Sequence, residues 1–97
     1  MKIGSRVGAV LGAKEGKCEF LGYGIYEGDF VPEGAVGFMA KALVDNHQVN
    51  PKICLDSGKV VWGCECWWGD EEKVKKILSQ YKDIVNVDID IVRKENV

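Results

Sequence analysis

The sequence predicts an α+β domain: a small, strongly bent antiparallel sheet or partial β-barrel, with one amphipathic helix near the C-terminus followed by a final strand. Three patterns lead there. Residues 5–12 and 18–29 alternate with a period of two around a polar, glycine-bearing turn, as the arms of a hairpin do. Residues 70–82 open on three acids and carry an i, i+3, i+4, i+7 apolar stripe. Residues 85–92 return to strict alternation.

In the first strand Val7, Ala9 and Leu11 alternate with Arg6, Gly8 and Val10, and 13–17 (AKEGK) supplies the turn. The second strand, CEFLGYGIYEGD, places Leu21, Tyr23 and Ile25 on one face. Phe20, Gly22, Gly24 and Tyr26 fall on the other. Glycine weakens a strand, so this spacing predicts a bulge, a bend, or the close approach of another backbone or a ligand. Residues 30–50 form an irregular arm, opened by Pro32, Gly34 and Gly37, with a short helix around 38–44. So long a connection suits a lid or a partner-contacting segment. Residues 51–69 read as a second hairpin turning at Asp56-Ser57-Gly58-Lys59. Asp70 is a natural N-cap for the helix, and Val74, Ile77, Leu78 and Tyr81 form its inward stripe. Glu71–Lys75 and Glu72–Lys76 are favourable i, i+4 pairs on its wet side. In the last strand Val85, Val87, Ile89 and Ile91 face inward, with Asn86, Asp88 and Asp90 outward.

A chain of 97 residues with 46% hydrophobic and 29% charged side chains reads as a single globular domain, 1–97. Its net charge of −2 supplies no general basic face for phosphates, which argues against nucleic acid as a partner. The apolar run VGAVLGA contains two glycines and leads into Lys14-Glu15, so it reads as a strand rather than a signal peptide. No segment reaches membrane-spanning length. The expected location is the cytoplasm, where the four cysteines stay reduced.

The densest feature is WGCECWWG, residues 62–69, with three tryptophans and two cysteines. In an extended strand Trp62, Cys64, Cys66 and Trp68 share an uncharged face that belongs to the core. Val61, Gly63, Glu65 and Trp67 share the other. A buried carboxylate without a partner is costly, so that face is either solvent or a site. Cys64 and Cys66 with Cys18 and Cys54 form a fallback zinc set, but structural zinc favours close pairs on tight knuckles. The reading is reduced, metal-free thiols, with Cys64 and Cys66 packed against the helix stripe. No catalytic motif is present, and His47 lies in a polar loop. No cofactor is expected. A small enzyme built on paired carboxylates is the least favoured class.

Rigid aromatic surface beside glycine gaps points instead to binding. Tyr23, Tyr26, Trp62 and Trp67 are the candidate flat surfaces. Glu27 and Glu65 are candidate acceptors, and Arg6 and Lys59 candidate anion contacts. The first expectation is a non-catalytic module for a small planar or nucleotide-like ligand. The alternative is a protein–protein interaction module whose tryptophans anchor a host protein. The aromatic and apolar content of 30–44 further predicts a two-fold dimer.

GYGIYEGD together with NPKI, LD-GKVV and WGCECWWG resembles a set of short proteins from bacterial and phage genomes, over most of residues 3–75. The resemblance brings no established activity and no functional residue. What it implies is a setting in which a small protein neutralises a host defence, by binding a protein or sequestering a nucleotide signal.

Overall fold

The structure is a computed structural model and describes residues 1–95. The described residues form six strands and three α-helices. β1 (Arg6–Lys14) and β2 (Lys17–Phe30) make the long hairpin, and α1 (Phe38–Asp45) lies within the arm. β3 (Asn50–Leu55) and β4 (Val60–Trp62) make the second hairpin. A 3-10 turn (Gly63–Glu65) leads into β5 (Trp67–Asp70), α2 (Glu71–Leu78), β6 (Asp83–Asn86) and α3 (Ile89–Glu95). The sheet runs β4-β3-β2-β1-β5, and β6 pairs with the start of β2. It is α+β and not closed into a barrel. All pairings are antiparallel except β2–β6, which is parallel.

Both faces of the sheet are packed. Val10, Cys18 and Phe20 lie beneath Val74 and Leu78 of α2, so the predicted helix stripe does face a core. The opposite face gathers Val7, Ala9, Leu21, Tyr26, Ile53, Leu55, Val61 and Ile89. Cys66 packs on this second cluster, away from the α2 stripe against which it was expected. The helix itself is shorter than 70–82, because single turns closed by the amides of Gln80 and Tyr81 replace its last α-helical turn. Glu72 pairs with Lys75 rather than Lys76.

Two bulges correct the predicted faces of β2. Ala9 opposes Gly22 but Val10 opposes Phe20, so Leu21 is an extra residue in the ladder; one step later Leu11 is extra in β1. Gly22 takes φ 142°, a conformation costly for any residue with a Cβ. The bulge reverses the alternation, so Leu21 joins the Tyr26 cluster while Phe20 and Tyr23 meet edge-to-face 4.8 Å apart on the other side. Gly24 has a different reason: a Cβ there would collide with the Cys54 carbonyl oxygen of β3. The glycines of β2 therefore serve strand geometry and backbone approach, two of the roles foreseen.

The C-terminus departs most from expectation. The alternation over 85–92 predicts a strand, but β6 ends at Asn86. The Asp88 carboxylate accepts the Asp90 N–H at 2.9 Å, and its carbonyl accepts from Val92, which starts a helix instead. Helical spacing keeps Ile89 inward but turns Ile91 outward, and Val85 on β6 is exposed as well, although both were expected in the core.

These contacts predict a graded response to adding one methyl group. Gly24→Ala, against the Cys54 backbone, and Gly8→Ala, 2.7 Å from Val74 Cγ1, should each cost about 1–3 kcal/mol or more in urea unfolding. Gly12→Ala meets nothing within 4 Å and should stay within about 0.5 kcal/mol. Equal effects at the three positions would contradict this packing.

Candidate functional site

The WGCECWWG stretch is not one strand. β4 ends at Trp62 on one edge of the sheet, the 3-10 turn reverses the chain, and β5 pairs with β1 at the other edge. The turn is held by its own Glu65 and by side chains from distant segments. Asn50 Oδ1 accepts the Cys64 N–H at 2.6 Å, and Glu65 Oε1 accepts the Trp62 N–H at 3.1 Å. Arg93 of α3 donates from Nε to Glu65 Oε2 at 2.7 Å and from Nη2 to Oε1 at 2.6 Å. Nη2 also donates to the Val60 carbonyl. The Glu65 side chain is 7% exposed and that of Arg93 17%. The sequence assigns the Glu65 face to solvent or a site; the carboxylate is instead enclosed and paired with Arg93, a residue not singled out there.

The tryptophans divide into three environments. Trp62 is buried and its Nε1 donates to the Glu33 carbonyl at 3.0 Å. Trp68 stacks on Tyr26 at 5.3 Å with an interplanar angle of 19°, against the Ile89 cluster. Trp67 is 50% exposed on β5. Tyr26 donates its hydroxyl to Asp29, which raises the phenol's pKa. Tyr23 lies on the α2 face, with Lys75 Nζ 5.9 Å from its ring centre.

The charged candidates also have partners. Arg6 forms a two-pronged bridge to Asp56 at 2.7 and 2.8 Å and reaches Glu71 at 2.9 Å. Hydrogen bonding to these acids raises the guanidinium pKa, and the Arg6 bond holds the Asp56 carboxyl below its ordinary range. Lys59 bridges Asp88 at 2.6 Å and Asp90 at 3.1 Å. Glu27 lies 3.8 Å from Lys52. The eight candidate ligand residues are thus spread over both faces and do not line one common pocket.

A concave feature does form beside Glu65. A cleft of about 450 Å³ runs between the arm and α3, walled by Leu11, Val36, Phe38, Met39, Ile89 and Val92. Cys64, Glu65 and Arg93 supply its polar part. Trp67 is not among its walls, so the Glu65–Trp67 face splits into a cleft and an exposed indole. Phe38 is 88% exposed and Met39 61%, although α1 does bury Ala40. The arm's position over this cleft was not readable from its own residues, since neither Leu11 nor α3 is near it in sequence.

The four cysteines are free, and among the described residues no group of three or more His, Cys, Asp or Glu is placed to hold a metal. Cys18 packs under α2 and Cys66 on the opposite face, so the fallback zinc set is not assembled. Among the described residues no helix is long and apolar enough to cross a membrane. No family model, no curated protein and no solved structure matches this chain.

Burial, with Glu65 nearby, pushes the Cys66 thiol up to about 12. The unfolded thiol loses its proton near pH 8.5, so the folded state binds the proton more tightly above that pH. Stability from this group is therefore full below about pH 8.5 and falls as the pH rises toward the folded value. Between pH 7.5 and 9.5 the wild type should lose about 1 kcal/mol more than Cys66→Ala in urea unfolding. Parallel losses in the two proteins would contradict the burial of this thiol.

Proposed function

We propose that this protein is a non-catalytic binding module that receives a partner protein at the arm, with the cleft beside α3 taking an apolar partner side chain. The observation that carries this reading is the position of Phe38 and Met39: largely exposed, yet on the wall of a cleft that reaches the buried Ile89 and the half-buried Leu11 and Val92. Exposed apolar side chains grouped in this way mark contact surfaces more often than scattered ones do. The surface continues from the arm along α1, where Val36, Phe38, Ala40 and Val44 border a second hollow. No second carboxylate stands beside Glu65 among the residues lining the cleft, and its charge is matched by Arg93. That arrangement favours binding over acid–base chemistry. The resemblance to bacterial and phage proteins makes a host protein the partner class, in keeping with a counter-defence role. The same exposed arm would serve a two-fold dimer, which light scattering would report as twice the chain mass.

Phe38→Ser and Met39→Ser should leave unfolding within about 0.5 kcal/mol of wild type, because these side chains are mostly solvated. Tagged versions recovered from producing cells should lose a stoichiometric partner that wild type and Ile84→Ser, an exposed change on β6, both retain. Retention of that partner by all four proteins would sink the arm as the interface.

A second reading, a small planar ligand, is supported by one observation: the cleft's volume of about 450 Å³ falls within the range of small-molecule sites. Arg93 is already matched by Glu65, which favours an uncharged ligand over a nucleotide. A thermal shift above about 2 °C with such a ligand, abolished by Phe38→Ser, would favour this reading.

A further inference from the structure

α3 is attached differently from the rest of the domain. It is seven residues long, too short to persist as an isolated helix, and Ile89 is its fully buried side chain. Polar attachment at its two ends is mainly through charged side chains: Lys59 grips Asp88 and Asp90, and Arg93 is held by Glu65 and by the Val60 carbonyl. Between these ties its packing is incomplete. Besides the 450 Å³ cleft, a hollow of about 270 Å³ opens where Leu21 and Leu55 meet Val87 and Ile89. A third, of about 480 Å³, lies between Leu11 and Ile91. All three hollows border the segment 86–95. Leu11, Leu21 and Leu55 share these hollows with it, and Cys66 and Trp68 pack on the same cluster as its Ile89. The strands that carry Leu11, Leu21, Leu55 and Trp68 are paired with one another independently of α3.

We propose that α3 is a displaceable strap: hinged at Val87–Asp88, it lifts as a unit while the sheet and α2 stay folded, and the hollows beside it merge into one apolar groove. Local opening of this kind is drawn from segments with few buried contacts and mainly side-chain attachment. The strap stands whether or not the arm receives a partner, because it rests on how α3 is fastened.

The native cysteines report on it in the full-length protein. Cys66 packs on the Ile89 cluster, whereas Cys18 is fully buried under α2 on the other face and reacts only when the sheet itself opens. Alkylation followed residue by residue by mass spectrometry should find Cys66 modified well ahead of Cys18. Arg93→Gln leaves the Glu65 carboxylate beside Cys66 but removes the charge that ties α3 to it. It should speed Cys66 modification about tenfold or more, with Cys66 still reacting well ahead of Cys18. Lys59→Gln unties the other end without touching Cys66 and should speed Cys66 about threefold, again with Cys66 well ahead of Cys18. One common rate for both thiols would show that α3 leaves only when the whole domain unfolds, and would overturn the strap. So would a Cys66 rate that Lys59→Gln leaves unchanged.

Discussion

Three hydrogen bonds converge on the Glu65 carboxylate, two from Arg93 and one from the Trp62 N–H, and the path of the chain depends on them. The sheet has β4 at one edge and β5 at the other, yet only four residues, 63–66, separate them in sequence. The chain must therefore leave the sheet, cross, and re-enter next to β1. A tight crossing exposes backbone donors that water reaches poorly. Glu65 takes one of them and Asn50 takes the Cys64 N–H. An unpaired carboxylate so buried would be strongly unfavourable, and Arg93 offsets that cost with two charge-assisted bonds. The same contact seats α3, which contributes Ile89 to the core.

From that crossing follows the division of the aromatic residues. Trp62 stays with β4, Trp68 arrives with β5 to stack on Tyr26, and Trp67 is turned to the exterior by strand alternation. The indoles therefore serve three different places in the fold and not one shared surface. Phe38 and Met39 of the arm stay exposed beside a cleft whose lining includes the Glu65–Arg93 pair. Fold and proposed binding surface thus share one interaction.

Elements defined by local pattern were legible in the sequence: the β1–β2 hairpin, the second hairpin with its Asp-Ser-Gly turn, the short helix of the arm and the α2 stripe. The errors lie where local pattern is ambiguous. DIDIV alternates as a strand does, but Ile89, Val92 and Arg93 are equally an i, i+3, i+4 face, and Asp88 is a natural cap before them. Helix won because the cap and the Glu65 contact favour it. Glycines at 22 and 24 announced an irregularity without saying which, since a bulge and a close backbone approach leave the same mark in sequence. Parity assigned Cys66 and Trp68 to the core, although the continuous strand from which it was argued does not exist. Burial cost alone led to solvent or a site for Glu65, because a partner 28 residues away was not readable from the local pattern.

The most direct test of the Glu65–Arg93 contact as organiser of the fold is a double-mutant cycle with Glu65→Gln and Arg93→Met, read by urea unfolding. Gln retains an acceptor for the Trp62 N–H and Met retains much of the arginine stem, so the coupling isolates the pair. The predicted coupling is at least about 2 kcal/mol, with Arg93→Met alone costing about 3–5 kcal/mol because it strands a buried carboxylate. Additive effects, within about 0.5 kcal/mol, would mean that the crossing and α3 hold without this pair.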